Sequence, residues 1–480
     1  MKKWNTIQLI EISARRKLLR VGKTTHAHLI VYGLVRVACF SSKLIKMYLE
    51  CLQFTSARYV LDEIPSPRLH QWNILISSFS KSSDYKQAAN VFSVFLARNL
   101  HPNVFIISSV LKAYGHMGEI KLGKSLHGVA LKQSMNSDIF VATSLIDMYG
   151  RAQKAKLARK IYDTMTQNDV VSLNSMVSAY SQCGLVQEAF NLAQNSVIKG
   201  DLTTWNTLLS GFAQMGNEKM MSEVFSRMKL RDVVSYTSMI SAFVQNCKFG
   251  KAFVVLRKML AGNVFPNSNT ATTLISACAS MSKGMLGKQM HGYSVTHGFE
   301  NDVFVRTSLI DMYSKCGSIE SARTIFRGAE SKRIATCNAM MFGYANSGYC
   351  DEALNLFSWM EGKEVDHFTI TAALIACSHS GKVEKGQEIF NSMEKKHRII
   401  PRMEHYASMV NLLAKAGNID EAHRFIVSMP IQPDHFVWGA FLSACNDHGF
   451  ADLATIASKK LQKLESGNTR FSACSWVDVN

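Results

Sequence analysis

The chain has 480 residues and a formal net charge of +18, because 54 Lys and Arg residues outnumber 36 Asp and Glu residues. No apolar run reaches the ~20 residues that a membrane-spanning helix needs, so the sequence predicts no membrane insertion. A positive excess of this size favours a polyanionic partner over a small neutral substrate.

The chain begins with a basic stretch. Residues 1–20 hold six basic side chains and one acidic side chain, Glu11. This composition is typical of an organelle-targeting presequence. The same stretch also fits the first helix of a degenerate first repeat, and both interpretations stay open for residues 1–37.

A helix-turn-helix unit then recurs along the chain, and Val233–Asn267 is its clearest copy. Apolar residues at helical spacing predict one helix from about Val234 to Gln245 and another from about Phe249 to Leu260. Pro266 ends the second helix. Two helices cannot bury both apolar faces alone, so such units must stack on one another. Thirteen copies of 31 to 36 residues cover residues 3–434, and a weaker copy follows at 435–466.

Fixed columns support this repetition. The fifteenth residue of a repeat is often Gly, which suits the left-handed position after a helix, and the twentieth is small. The sequence LIDMYG at 145–150 returns as LIDMYS at 309–314, and GKSLHG at 123–128 returns as GKQMHG at 287–292, both 164 residues later. Repeat types therefore alternate. We predict an all-α fold, a right-handed α-solenoid in which each repeat contacts only its neighbours.

Catalytic and metal-binding patterns are missing from the sequence. The eleven cysteines contain no C-x-x-C pair, and no histidine begins the H-x-E of a zinc deaminase. GEIKLGKS at 118–125 matches a phosphate-binding loop literally, but a helix pattern precedes it where such a loop needs a strand. We predict no enzymatic activity, no metal, no cofactor and no small-molecule substrate.

The repeats resemble a known family. VVSYTSMISAF and TTWNTLLSGFAQMG look like pentatricopeptide repeats, and alternating units near 35 and 31 residues resemble the plant PLS subclass. The closing sequences MEHYASMVNLLAKAGNIDEA and PDHFVWGAFLSACNDHG resemble the end of that array and the start of an E motif. The resemblance divides the chain into an array of P-, L- and S-type repeats at 38–434, an E-motif-like unit at 435–468 and a short divergent tail at 469–480.

The resemblance also implies a function. It implies a sequence-specific single-stranded RNA-binding protein of the mitochondrion, or alternatively of the chloroplast. The commonest role in the subclass is recognition of C-to-U RNA editing sites, with a DYW-type cytidine deaminase or other editing factors acting in trans. An RNA binder for transcript stabilisation, splicing or translation is the alternative. A tetratricopeptide-type protein scaffold is the third hypothesis, although its W-x-x-L-G-x-x-Y columns are missing.

Two polar columns are the candidate base-reading residues. In helical repeats of this kind, two or three side chains read one base. The resemblance places the fifth and last residues of each repeat in that role. The pairs are Asn73/Asn103, Thr143/Asp169, Asn174/Asp201, Asn206/Asp232, Thr237/Asn267 and Asn338/Asp366. Helix capping is the competing interpretation of the repeat-end residue. In the family code, Asn/Asn corresponds to C, Thr/Asp to G, Asn/Asp to U and Thr/Asn to A. The predicted target is 5′-C-n-G-U-U-A-n-n-U-n-n.

Several positions depart from these patterns. Arg68, Arg333 and Arg402 replace the repeat-end Asp or Asn, so we expect their repeats to hold phosphate or to read no base. In the unit at 435–466, Trp438 and Phe441 are candidates for a partner surface, with repeat core as the other interpretation.

Overall fold

The structure is a computed structural model that describes residues 3–328 and 332–466. These residues form 28 α-helices, one short 3₁₀ turn at Leu34–Arg36 and no strand. The predicted all-α fold of helix-turn-helix repeats is confirmed. No helix in this part of the chain is long and apolar enough to cross a bilayer. The chain divides into an N-terminal half, Met1–Arg231, and a C-terminal half, Asp232–Asn480.

In its described part, the N-terminal half consists of seven helical pairs. Its helices are α1 (Lys3–Arg15), α2 (Leu19–Val31), α3 (Ala38–Glu50), α4 (Phe54–Asp62), α5 (Leu69–Lys81), α6 (Tyr85–Ala97), α7 (Val104–Met117), α8 (Ile120–Lys132), α9 (Ile139–Arg151), α10 (Ala155–Thr164), α11 (Val170–Gln182), α12 (Val186–Asn195), α13 (Leu202–Gln214) and α14 (Glu218–Arg227).

The C-terminal half also consists of seven helical pairs within the residues that the structure describes. Its helices are α15 (Val233–Gln245), α16 (Phe249–Ala261), α17 (Ser268–Ser280), α18 (Gly284–Thr296), α19 (Val303–Lys315), α20 (Ile319–Arg327), α21 (Ile334–Asn346), α22 (Cys350–Glu361), α23 (His367–Ser380), α24 (Val383–His397), α25 (Met403–Lys415), α26 (Ile419–Ser428), α27 (His435–Asp447) and α28 (Ala451–Ser466).

The first helix of every pair begins at the first residue of a repeat defined from the sequence. Within each half, consecutive first helices pack side by side, and each second helix lies against its own first helix and the next one. The apolar columns of the first helices supply most of the buried core. Each half is therefore a stack of helical hairpins. The division into array, E-motif-like unit and tail stays a prediction, and residues 469–480 lie outside the described residues.

The turn between the two helices of each pair contains one residue in the left-handed backbone conformation. In all fourteen pairs of the described chain, the fifteenth residue has a positive φ, between 51° and 82°. Glycine occupies eight of these positions and adopts such angles without steric cost. Six other residues take the same conformation, for example Leu52 and Gln153. The packing of the two helices therefore sets this turn even where the residue does not favour it.

Two close crossings of consecutive first helices each contain one glycine. A Cβ added to Gly150 of α9 would lie 2.7 Å from Cα of Ala179 in α11. The crossing 164 residues later, between α19 and α21, reverses the residues. There Ser314 faces Gly343, and a Cβ on Gly343 would collide with the serine side chain. At these two crossings one residue without a side chain is thus required, and either helix can supply it.

The GKxxH segments are packing elements, and the structure adds a third copy at residues 22–26. In each copy a Cβ on the glycine would collide with a methionine of the next first helix, and the histidine Nδ1 forms a hydrogen bond with the following tyrosine Oη at 2.9 to 3.0 Å. The Gly/Met contacts are Gly22/Met47, Gly123/Met148 and Gly287/Met312, and the His/Tyr bonds are His26/Tyr48, His127/Tyr149 and His291/Tyr313. A helix, α7, precedes GEIKLGKS, so the rejection of a phosphate-binding loop is confirmed.

The candidate partner surface at Trp438 and Phe441 is wrong. Both side chains are buried in the core between the last two helical pairs, where they belong to one cluster with Ile419, Ala422 and Ala457. Their periodicity on α27 matches that of the apolar columns in the other first helices, so core packing accounts for them.

We predict that Gly150→Ala destabilises the N-terminal half by roughly 1–3 kcal/mol, because the added methyl group meets the backbone of α11 and forces the helices apart. The matched control is Gly128→Ala in α8, where a Cβ meets no atom within 4 Å among the described residues. This control should be neutral or slightly stabilising, since Ala favours helix more than Gly does. Urea unfolding measures both. Equal stability of the two variants would contradict the close-crossing requirement.

The three His/Tyr junctions predict a pH-dependent stability. Burial lowers the pKa of His26, His127 and His291 below the usual value of about 6.5. Near pH 6 the unfolded chain therefore binds more protons than the folded one. This contribution to stability is present above about pH 6.5 and is lost as the pH falls through the lower folded-state pKa.

Urea unfolding at pH 7.5 and pH 5.5 measures the effect. We expect wild type to lose stability at pH 5.5, and His127→Gln, which keeps a polar partner for Tyr149, to lose less between the two pH values. A wild type that is equally stable or more stable at pH 5.5 would contradict this account of the junctions.

Candidate nucleic-acid interface

The repeat-end residues are helix N-caps. The side chain of each predicted repeat-end residue accepts a hydrogen bond from the backbone N–H of the third residue of the next first helix, at 2.7 to 3.0 Å. These residues are Asn103, Asp169, Asp201, Asp232, Asn267 and Asp366. The capping interpretation of this column is therefore confirmed. Capping uses one side-chain oxygen and is compatible with a second contact to a ligand.

Two of the predicted pairs are joined by a direct hydrogen bond. Nδ2 of Asn174 donates to Oδ1 of Asp201 at 3.1 Å, and Nδ2 of Asn338 donates to Oδ1 of Asp366 at 2.9 Å. The fifth residue and the repeat end thus meet at one point of the junction. Asn174 is half-buried, whereas Asn338 is only 5% exposed.

Hydrogen bonding also determines the charge of this site. Partial burial alone would raise the pKa of the Asp201 carboxyl. Hydrogen bonds from the Thr204 backbone and from Asn174 outweigh that effect and hold the pKa below its ordinary value. The carboxylate is therefore ionised at neutral pH and accepts hydrogen bonds.

The threonine pairs are arranged differently. Thr143 and Thr237 each donate their hydroxyl to the carbonyl four residues earlier, at 2.7 and 2.6 Å. The hydroxyl oxygen of Thr237 also lies 2.6 Å from that of Thr270, which in turn lies 2.9 Å from Oδ1 of Asn267. A hydroxyl chain therefore joins Thr237 to Asn267. No hydrogen bond of the described residues joins Thr143 to Asp169.

In the remaining two pairs, Asn73/Asn103 and Asn206/Asp232, the repeat-end residue also caps the next helix. Asn73 lies on α5, and its Oδ1 is buried without a hydrogen-bond partner among the described residues. Its predicted partner Asn103 caps α7. Asn206 is half-buried on α13 in the N-terminal half, and Asp232 caps α15 in the C-terminal half.

At two junctions that end in arginine, the third residue of the next helix supplies the cap hydrogen bond. At Arg68 and Arg402 the backbone N–H donates to the side chain of the third helix residue, Gln71 Oε1 at 2.8 Å and His405 Nδ1 at 2.9 Å. Neither arginine side chain makes a cap hydrogen bond, and the same holds for Arg333. These guanidinium groups therefore do not replace the repeat-end Asp or Asn as caps.

The sequence reasoning missed a third column of this surface. The second residue of many first helices is apolar and exposed, up to 72% at Phe304. The members are Phe105, Phe140, Val171, Val234, Phe304, Phe368 and Phe436. The rings of Phe105 and Phe140, on successive first helices, lie 6.2 Å apart. The signal was present in the sequence, because an apolar residue two positions after the cap lies outside the buried stripe of third, fourth, seventh and eighth residues.

The second and fifth residues of a helix are three positions apart and share one face. Several junctions, such as those of Thr143 and Asn174, therefore combine an exposed apolar side chain, a short polar side chain and a cap. This arrangement offers a flat apolar surface beside hydrogen-bonding groups. Within the described chain, no three His, Cys, Asp or Glu side chains gather where they could hold a metal ion.

Stacked helical hairpins with repeated polar junctions define an α-helical repeat protein. Family models for the PPR repeat match residues 72–100, 140–170, 171–193, 203–233, 304–334, 335–365, 368–397 and 404–430, and a PPR repeat family model matches residues 231–280. A relative from Arabidopsis thaliana, pentatricopeptide repeat-containing protein At5g59600, is 41% identical over 472 residues, which cover 96% of this chain and 88% of the relative. The chain belongs to the pentatricopeptide repeat family.

Two further Arabidopsis thaliana relatives carry organelle names. At1g11290, chloroplastic, is 31% identical over 96% of this chain, and At2g03380, mitochondrial, is 30% identical over 96%. The chain spans 62% and 58% of their respective lengths.

Solved structures share the fold at 17% sequence identity. The pentatricopeptide repeat protein PPR10 from maize superposes with a TM-score of 0.60 over 98% of this chain and 70% of its own. A cysteine-substituted PPR10 in complex with an 18-nt psaJ RNA element gives 0.67 over 85% of this chain and 63% of its own.

Proposed function

We propose that the chain is a sequence-specific single-stranded RNA-binding protein. The observation that carries this proposal is the recurrence at successive junctions of a cap, a short polar fifth residue and, in many repeats, an exposed apolar second residue. Amides, hydroxyls and carboxylates donate to and accept from base edges. Exposed aromatic and apolar surfaces suit base stacking. The net charge of +18 suits a phosphate backbone, and PPR10 was crystallised with RNA in the same fold.

One base per repeat is the simplest match between the junctions and RNA. We propose the target 5′-C-n-G-U-U-A-n-n-U-n-n, with the six polar pairs reading the six specified bases. A protein scaffold would leave the paired polar residues and the positive charge without a role. RNA binding uses both.

We further propose that the chain selects a site for C-to-U RNA editing and that a cytidine deaminase supplied in trans performs the reaction. The alternating long and short repeats and the closing sequences near the E motif support this role. Sequencing of organelle transcripts with and without the protein tests it. Loss of editing at one cytidine downstream of the target sequence is expected. Unchanged editing with altered transcript abundance or splicing would instead support a role in stabilisation or splicing.

The proposed location is the mitochondrion, with the chloroplast as the alternative. The basic stretch at residues 1–20 supports an organelle, and relatives carry both organelle names. In the structure much of this stretch belongs to α1, where Ile10 and Ala14 are buried. Imaging of a fluorescent fusion together with markers of both organelles decides between them.

We predict that exchanging fifth residues exchanges base preference. Thr143→Asn should shift its base from G toward U, and Asn174→Thr should shift the next base from U toward G. Each shift should approach the scale of a base-edge contact, roughly 1–3 kcal/mol. The measurement is binding of each variant to four RNAs that differ only at those two bases.

The double variant is the internal control, since it should prefer U-G where wild type prefers G-U. Duplex DNA of the same sequence and a salt titration complete the design. Affinity should fall with rising salt as counterions are released. Unchanged base preference in all three variants, or equal affinity for duplex DNA, would contradict RNA reading by these columns.

A further inference from the structure

A residue outside the two predicted columns bonds to both of them. Thr204 and Thr369 are the third residues of their first helices and are completely buried. The hydroxyl of Thr369 donates to Oδ1 of Asn338 at 2.8 Å and lies 2.9 Å from Oδ1 of Asp366. The hydroxyl of Thr204 has the same two neighbours: it donates to Asn174 Oδ1 and lies 3.1 Å from Asp201 Oδ1. One arrangement thus occurs once in each half of the chain.

These bonds fix the orientation of the asparagine amide. Nδ2 of Asn338 donates to Asp366, and Oδ1 accepts from Thr369. A flipped amide would place its oxygen against the Asp366 carboxylate, and both oxygens are acceptors only. This orientation determines on which side the second N–H of the amide and the remaining lone pair of its oxygen are available to a ligand. A reversed amide would present a different pattern to a base.

A different residue at the same column gives a natural comparison. Ile106 is the third residue of α7 and has no hydroxyl. Its backbone N–H donates to Asn103, so the cap is present. In the preceding repeat, however, Oδ1 of Asn73 is buried without a hydrogen-bond partner among the described residues. At this junction, whose third residue has no hydroxyl, the Asn73 amide oxygen thus has no hydrogen-bond partner among the described residues.

At the Thr237/Asn267 junction a third-position hydroxyl also contacts both the fifth residue and the repeat end. Thr270, the completely buried third residue of α17, lies between Thr237 and Asn267, with contacts of 2.6 and 2.9 Å. A buried hydroxyl at the third position therefore joins the fifth residue and the repeat end in three junctions of the described chain. Thr204, Thr270 and Thr369 supply it.

We propose that the buried hydroxyl at the third position of the following repeat is a positioning residue for base recognition. It holds the fifth-residue side chain in one orientation and so determines how sharply that repeat discriminates between bases. This role rests on the proposed RNA-binding function. The ligand is the single base assigned to each junction.

The test compares Thr369→Val with Thr369→Ser. Valine keeps the shape of threonine without the hydroxyl, and serine keeps the hydroxyl. We expect Thr369→Val to reduce discrimination between U and C at the last specified base by about three- to tenfold, the range of one neutral hydrogen bond. Thr369→Ser should keep the wild-type ratio. The readout is affinity for two RNAs that differ at this base and for a third that is abasic there.

The abasic RNA separates positioning from general damage. A positioning role predicts wild-type affinity of Thr369→Val for the abasic RNA, whereas a structural defect would lower affinity for all three RNAs. The reciprocal variant Ile106→Thr should sharpen the preference at the first specified base, because it supplies the hydroxyl that Asn73 lacks.

The outcomes are distinguishable. Wild-type discrimination in Thr369→Val, or equal loss in the Val and Ser variants, would overturn the positioning role alone. A wild-type chain that shows no base preference at any of the six predicted bases would overturn the proposed function, and this role with it.

Discussion

The hydrogen bond from each repeat-end Asp or Asn to the next first helix is the contact on which both the stack and the proposed recognition depend. It satisfies a backbone donor that would otherwise be unpaired at the helix start. It also fixes the position of a carboxylate or amide at the junction of two repeats. At Asp201 and Asp366 the same oxygen that caps the next first helix also accepts a hydrogen bond from the fifth residue of its own repeat. Stability and the proposed recognition therefore use the same atoms.

This shared use explains why the junction residues are short and polar. A longer side chain at the repeat end would lose the cap geometry, and at Arg68 and Arg402 the third residue of the helix takes over the cap. An apolar residue would leave the donor unsatisfied. The repeat-end column of the proposed base-reading residues can therefore vary only among side chains that cap the next helix or, like Arg68 and Arg402, leave the cap to its third residue.

Much of the fold was predictable because one pattern recurs. The start of most first helices follows from the column of repeat-end residues, since Asp and Asn are strong N-cap residues. The left-handed turn was predictable at Gly118 and Gly184 but not at Leu52 or Gln153, where packing overrides local preference. The glycine lies on the earlier helix at the Gly150 crossing and on the later helix at the Gly343 crossing. This difference depends on contacts between repeats, so it cannot be predicted from the residue pattern of a single repeat.

The candidate site was predictable only in part. Its two polar columns follow from the sequence. Their hydrogen bonds could not be predicted, because they depend on how close the third residue of the next repeat lies, which the sequence does not give. The exposed apolar column was visible in the sequence at Phe140 and Phe304 but was masked by the expectation that apolar residues are buried. Trp438 and Phe441 show the opposite error, because a large aromatic residue in a divergent repeat is still most often core.

The most direct test of the central claim is an unbiased selection of the full chain against a random single-stranded RNA pool at near-physiological salt. The account predicts enrichment of 5′-C-n-G-U-U-A, with a further U three positions later. Enrichment of an unrelated sequence, or no enrichment above the starting pool, would contradict the assignment of one base to each polar junction.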